Sequence, residues 1–119
     1  MLNLDTHILI FALTGKLTPK ERRLLEHSPW GISAIVLWEL SKLVQLGRLQ
    51  MDLESPEVVR ALSSLNVWPI DLPVCLASTR LDFHADPADE LIAATSIVHQ
   101  VRLVTRDRKI RRSKLVPLA

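Results

Sequence analysis

Four acidic residues of this chain stand in apolar surroundings, which sets them apart from its other acids. Asp5 closes a short apolar segment near the N-terminus, and Asp107 comes just after the β-branched run Val101–Thr105. Glu39 lies inside one apolar helical stretch, and Asp89 lies near the start of another. Because burial penalises an unpaired charge, a carboxylate in such a setting needs an opposite charge, hydrogen-bond donors or a metal ion. These four carboxylates are therefore the first candidates for chemistry.

The segment from His84 to Thr95 places acids beside a histidine and a proline and then continues into small and apolar residues. Asp86 followed by Pro87 predicts the start of a helix, because aspartate can accept backbone N–H bonds and proline suits the first helical position. Helical periodicity then puts Asp89 on one face with Ile92, Ala93 and Ser96. A carboxylate thus begins a face that must otherwise be buried.

Strand-like and helix-like segments alternate along the chain, which predicts a parallel sheet covered by helices on both faces. The predicted strands are Leu2–Asp5, Trp30–Ser33, Asn66–Ile70 and Val101–Thr105, with a further strand around Val116. The predicted helices are His7–Leu13, Pro19–His27, Ala34–Leu46, Pro56–Leu65, Val74–Asp82, Pro87–Gln100 and a short basic helix after Asp107. Sites in open parallel sheets form at the carboxyl ends of the strands, so Asp5 and Asp107 are expected at one edge.

Acids brought together at one edge repel one another and raise one another's pKa values. A divalent cation relieves that repulsion, and hard carboxylate oxygens suit magnesium or manganese. Such a cluster is the chemistry of metal-dependent phosphodiester hydrolysis. For any single acid, capping a helix or pairing with Lys42, Arg102 or Arg106 remains the competing interpretation.

Length and composition restrict the class of protein. With 119 residues, 48% of them apolar and 24% charged, the chain is expected to form one globular domain. A single cysteine, Cys75, allows no internal disulfide and fits a reducing cytoplasm. No basic leader is visible, and no apolar run approaches the roughly 20 residues of a membrane span. The net charge is +2, but the Arg106–Lys114 segment alone carries +5, which favours contact with a polyanion.

Six motifs follow one another along nearly the whole chain, and their order and spacing are specific although no single one is decisive. They are Leu4-Asp5-Thr6-His7, Ser33-Ala34 with Leu37-Trp38-Glu39-Leu40, Leu46-Gly47-Arg48-Leu49, His84-Ala85-Asp86-Pro87-Ala88-Asp89, Leu91-Ile92-Ala93-Ala94 and Leu103-Val104-Thr105-Arg106-Asp107. In this set the sequence resembles a PIN domain, and more closely the VapC-type toxins of bacterial and archaeal toxin–antitoxin pairs.

The resemblance implies an α/β fold, a PIN-like three-layer α/β/α arrangement around a central, mostly parallel sheet, as a single domain over residues 1–119. It also implies a Mg²⁺-dependent endoribonuclease that hydrolyses RNA phosphodiester bonds, with Mn²⁺ as a substitute. The catalytic and metal-binding carboxylates would be those of Asp5, Glu39, Asp89 and Asp107.

Further residues receive roles from the same resemblance. Asp86 is left open between a helix cap, which is preferred, and a fifth metal ligand, because Asp89 fits the family's Asp-x-x-Ile-Ala-Ala pattern better. Thr6 and Thr105 are expected to hold waters or to orient the acids. The family often has arginine where this chain has Glu90, so no phosphate contact is expected from that position.

The basic stretch and the apolar surface point to partners. Arg106, Arg108 and Lys109 are expected to bind RNA phosphates beside the acids. The apolar residues of Ile8–Leu13 and of the Ala34–Leu46 helix exceed what a small core needs, and the resemblance implies homodimerisation and docking of a VapB-type antitoxin. Core packing is the competing explanation for that surface.

Other functions remain to be weighed. A catalytically silent PIN-like module that binds RNA or protein is the main alternative, although it has no need of the full acid set. A receiver-type phosphorylation module needs paired acids after the first strand, and a hydrolase with an Asp-x-Asp nucleophile needs an acid where His7 stands, so both are rejected. Acid–base catalysis by His7 and His84 would leave the acids without a role.

Overall fold

Four short strands form the sheet that positions the candidate carboxylates. The computed structural model, which describes residues 1–119, contains β1 (Leu2–Leu4), β2 (Trp30–Ser33), β3 (Asn66–Trp68) and β4 (Arg102–Val104). Their order in the sheet is β3-β2-β1-β4, and every neighbouring pair is parallel. The predicted α/β class with a central parallel sheet is therefore confirmed. The further strand expected around Val116 is reduced to a single parallel bridge between Leu103 and Leu118.

Seven helices connect or flank the strands, close to the predicted bounds. They are α1 (Thr6–Thr14), α2 (Pro19–Glu26), α3 (Ala34–Gln45), α4 (Pro56–Ser63), α5 (Leu72–Ser78), α6 (Pro87–His99) and α7 (Arg108–Arg111). The largest difference is in α5, which was predicted over Val74–Asp82. It begins earlier because the Asp71 side chain caps it by accepting the Val74 N–H at 3.2 Å. Asp82 lies beyond its end and instead accepts hydrogen bonds from Ser113 and Lys114.

The central strand β1 and helix α6 meet in the core. Ile92, Ala93 and Ser96 are fully buried, as the predicted face of α6 requires, and Asp89 at the start of that face is half-buried. The buried amide of Asn3 ties the two elements together, because its Nδ2 donates to the Ile92 carbonyl at 3.1 Å and to Ser96 Oγ at 2.9 Å.

These contacts fix the helix that carries Asp89 against the strand that leads into Asp5. Because Leu4 lies opposite Val104 in the parallel register, the chain leaves β1 and β4 at the same edge. None of the helices has the length and apolar character needed to cross a membrane.

Candidate active site

Asp5 is the most buried of the four predicted acids, with 9% of its surface exposed. It follows β1 and caps α1, because its Oδ1 accepts the Ile8 N–H at 2.9 Å. Its Oδ2 accepts a hydrogen bond from the hydroxyl of Thr105, which follows β4. Burial raises the pKa of Asp5 above the usual 3.8, while the two hydrogen bonds act in the opposite direction. The parallel register therefore delivers this carboxylate to the predicted edge.

Glu39 reaches the same region from α3. Its Oε1 accepts a hydrogen bond from the hydroxyl of Thr6, the residue that follows Asp5. The two threonines that were expected to orient acids each donate a hydrogen bond to a different carboxylate. Glu39 does not line the cavity described next, but its charge acts on Asp89 within it.

Asp5, Asp89 and Asp107 line one cavity of about 340 Å³, together with His7, Ile8, Phe11 and Arg106. Asp89 is half-buried, and neither of its oxygens accepts a hydrogen bond from the protein. Its pKa is raised to about 6, first by burial and then by the charges of Glu39, Asp107, Asp5 and Asp86. The acids that lie far apart in the sequence thus share one electrostatic environment.

Asp107 is exposed and caps α7, because its Oδ1 accepts the backbone N–H groups of Lys109 at 2.8 Å and Ile110 at 3.1 Å. Its other oxygen, Oδ2, makes no hydrogen bond. A second cavity of about 390 Å³ adjoins the first and is lined by Asp86, Asp89, Asp107, His84, Ala85 and Lys109. Asp89 and Asp107 line both cavities and stand at the boundary between them.

Asp86 was predicted first as a helix cap, and that prediction is wrong for its side chain. The residue does occupy the position before α6, yet its side chain makes no capping hydrogen bond. Glu90 instead ties the preceding loop to the helix, because its Oε2 accepts the Ala85 N–H at 3.3 Å. The Asp86 carboxylate instead lines the second cavity with Asp89.

Arg106 stands in the wall of the first cavity but is already paired. Its Nε and Nη2 each lie 2.7 Å from a different carboxylate oxygen of Glu21 on α2. Its guanidinium also stacks 4.0 Å from the centre of the Phe11 ring. This pair holds the pKa of Glu21 down at about 2 and raises that of Arg106. Of the other two predicted RNA contacts, Lys109 lines the second cavity, whereas Arg108 is exposed and lines neither.

The competing interpretation of the four acids is only partly supported. Asp5 and Asp107 do cap helices, but the single salt bridge in the structure joins Arg106 to Glu21, and none of the four acids pairs with Lys42, Arg102 or Arg106. No group of three or more His, Cys, Asp or Glu side chains is arranged to hold a metal ion as it stands. Helix-capping N–H groups and threonine hydroxyls take four of the six carboxylate oxygens of Asp5, Glu39 and Asp107.

Two contributors to the site were missed by sequence reasoning. Glu21 forms the capping box of α2 with Thr18 and was not among the predicted site residues. Its second partner, Arg106, is 85 positions away, so no local pattern indicates the pair. Phe11 was treated as part of an apolar helix, and only the tertiary structure places it beneath a guanidinium.

Comparisons with protein families and with known proteins agree with one another. The chain matches the PIN domain family over residues 3–114. It is 31% identical over 115 residues to ribonuclease VapC22 of Mycobacterium tuberculosis, an alignment that covers 91% of this chain and 88% of that protein.

Several solved structures share its fold. A chain of a toxin–antitoxin complex from Klebsiella pneumoniae has a TM-score of 0.71 and 25% identity, covering 94% of this chain and 91% of its own. A chain of VapBC2 from Rickettsia felis bound to a promoter DNA fragment has a TM-score of 0.75 and 21% identity, covering 100% and 98%.

Proposed function

This chain belongs to the PIN domain family, and we propose that it is a divalent-metal-dependent endoribonuclease, the toxin of a VapBC-type toxin–antitoxin pair. The observation that carries the proposal is the cavity lined by Asp5, Asp89 and Asp107, in which the pKa of Asp89 is raised to about 6. Carboxylates that converge on one cavity and have perturbed pKa values are typical of sites that bind metals or catalyse reactions. The 31% identity to ribonuclease VapC22 supports RNA as the substrate.

The donor set fits a hard divalent cation such as Mg²⁺ or Mn²⁺, which prefers carboxylate oxygens. Both oxygens of Asp89 and one oxygen of Asp107 make no hydrogen bond to the protein. We expect Asp5, Glu39, Asp89 and Asp107 to hold the ion, with Asp86 as an additional acid at the rim. When bound, such an ion lowers the pKa of a water molecule and offsets the negative charge of the phosphate.

The protein itself contributes position and charge. The Ile8 N–H and the Thr105 hydroxyl favour the ionised form of Asp5 and fix its orientation. The Thr6 hydroxyl donates a hydrogen bond to one oxygen of Glu39 and fixes the orientation of that carboxylate. Catalysis in such a site comes mainly from holding the reacting phosphate and the water in line, because little covalent work falls to the protein.

RNA approaches the acids through basic residues. We assign Arg106, Arg108 and Lys109 to phosphate binding, because all three lie beside Asp107 in the sequence. Arg106 and Lys109 line the two cavities, whereas Arg108 is exposed outside them. We also propose that the protein acts in the cytoplasm, where such a substrate is found.

The apolar surface fits protein partners. On α1, Ile8 and Leu9 are fully buried, and Ile10 and Leu13 are partly buried against the core. On α3, however, Leu37 and Trp38 are exposed by 37% and 55%, and Leu46, just after the end of the helix, is exposed by 62%. Large apolar side chains at the surface are candidates for contact with another protein. We propose that this helix serves a homodimer or a VapB-type antitoxin, in line with the toxin–antitoxin complexes among the structures of similar fold.

RNA cleavage by the purified protein, with Mg²⁺ or with EDTA, tests the proposed function. Wild-type protein should cleave RNA only with the metal, and Asp5→Asn should be inactive in both conditions. Cleavage that needs no metal and survives the Asp5→Asn substitution would overturn the mechanism, and products that end in a cyclic phosphate would indicate histidine catalysis. RNA binding without cleavage under every condition would favour the silent module.

A further inference from the structure

The Arg106–Glu21 pair separates two cavities. Arg106 lines the cavity of Asp5, Asp89 and Asp107, and it also lines a neighbouring cavity of about 460 Å³ on the side of α2. It is the one residue common to both linings. The 460 Å³ cavity is also lined by residues of the first turn of α2, including Lys20 and Glu21.

The guanidinium of Arg106 is fixed on several sides. Glu21 binds its Nε and Nη2, the carbonyl of Lys16 accepts a further bond from Nη2 at 3.3 Å, and Phe11 covers one face. Glu21 is itself held by the capping box, because its Oε1 accepts the Thr18 N–H at 2.8 Å.

These contacts leave one part of the guanidinium available. Nη1 donates to no protein atom, and 43% of the Arg106 side chain is exposed. An ion pair at the protein surface, with its arginine exposed, contributes little to stability, about 0–1 kcal/mol, so stability alone gives a weak reason for these several contacts. A guanidinium held in one orientation with a free amino group is suited to a phosphate.

We propose that Arg106 binds the RNA phosphate next to the one that is cleaved, at the boundary of the two cavities, and that Glu21 is the residue that positions Arg106 for it. This inference rests on the proposed ribonuclease function and adds a binding subsite to it. Arg106 then acts on substrate binding rather than on the chemical step. Glu21, although acidic, strengthens the binding of a polyanion by holding the arginine in place.

Binding of a fluorescein-labelled single-stranded RNA of random sequence, measured by anisotropy with Asp89→Asn protein to prevent cleavage, tests the subsite. Arg106→Ala should raise the Kd roughly tenfold and should reduce the slope of log Kd against log salt concentration by about one. Arg112→Ala is the matched control, because Arg112 is exposed in the same basic segment and lines neither cavity. Equal effects of the two alanine substitutions would overturn the subsite and indicate a diffuse basic surface.

The positioning role of Glu21 is tested by a double-mutant cycle. Glu21→Gln keeps a residue that suits the capping box but loses the charge, and it should raise the Kd about threefold to tenfold. In the Arg106→Ala background the same substitution should have no further effect, because Glu21 acts through Arg106. An unchanged or lower Kd in Glu21→Gln would contradict positioning and show that Glu21 competes with the phosphate.

Kinetics separate this inference from the proposed function. With Asp89 intact, Arg106→Lys and Glu21→Gln should raise KM and leave kcat nearly unchanged, as expected for a contact made equally in the ground and transition states. Both variants should unfold at temperatures close to that of the wild type, since Arg106 is exposed and each replacement can still form hydrogen bonds. Wild-type cleavage with no KM change in either variant would refute the subsite alone, whereas absence of wild-type cleavage would refute the function.

Discussion

Replacing Asp89 by asparagine should stabilise the ion-free protein at neutral pH. The pKa of this carboxyl is raised from 3.8 to about 6 by burial and by neighbouring acids. Well below pH 3.8 the group is protonated in the folded and unfolded states alike, so it has no effect on stability. Between those two values the unfolded chain loses its proton first, and the free energy of unfolding falls as the pH rises. Above about pH 6 the charge of Asp89 lowers the free energy of unfolding by its full amount.

The size of the effect follows from the same values. A rise from 3.8 to about 6 corresponds to roughly 3 kcal/mol if the carboxylate is fully shielded from water. Asp89 is only half-buried, so solvent screening reduces the expected penalty to roughly 1–2 kcal/mol. Asparagine has nearly the same shape and no charge, so it removes this penalty without leaving a cavity.

Urea unfolding in EDTA at about pH 4 and about pH 8 measures the difference. The two proteins should be closest in stability at the lower pH, and the variant should be more stable at the higher pH. Asp82→Asn is the matched control. Hydrogen bonds from Ser113 and Lys114 lower the pKa of Asp82, so removing its charge should destabilise the protein at neutral pH. Equal stability of wild type and Asp89→Asn at both pH values would refute the reasoning, and so would a gain that is independent of pH.

The remaining predictions concern the neighbours of Asp89. Thr105→Val removes the hydroxyl that binds Asp5, so it should cost roughly 1–2 kcal/mol in urea unfolding and shift the acid limb of the pH–activity profile to higher pH. Unchanged stability and an unchanged profile would contradict that account. Asp107→Ala should lower the free energy of unfolding by about 1 kcal/mol because the cap of α7 is lost, whereas Asp107→Asn should unfold like the wild type. Neither variant should cleave RNA. Asp86→Ala should change the free energy of unfolding by less than about 0.5 kcal/mol, because its side chain makes no capping bond. A loss as large as that of a helix cap would show that Asp86 caps α6 in solution.

Local chemistry made much of the fold predictable from the sequence. The capping box of Thr18 and Glu21 and the proline after Asp86 fix helix starts through residues a few positions apart. The placement of Asp5 and the residues after β4 at one edge follows from the parallel sheet alone, and the register of Leu4 with Val104 confirms it.

Contacts between distant parts of the chain were not predictable. The Arg106–Glu21 pair joins residues 85 positions apart, and several other acids were equally good partners for that arginine. Gly31 looked like an ordinary strand residue, yet a Cβ there would lie 2.5 Å from the ring of Trp68. Trp38 is 55% exposed, and the apolar character of its segment did not decide between core packing and docking. The position of the Asp86 carboxylate depends on its side-chain rotamer, which no sequence pattern specifies.

Titration of the protein with Mn²⁺, followed by the electron paramagnetic resonance signal of the free ion, tests the central claim most directly. The claim is that the carboxylates gathered around Asp89 hold a divalent cation. Wild-type protein should remove Mn²⁺ from solution and release it when Mg²⁺ is added, whereas Asp5→Asn and Asp89→Asn should each bind it far more weakly. Binding of Mn²⁺ that is the same in all three proteins, or absent from the wild type, would contradict the account.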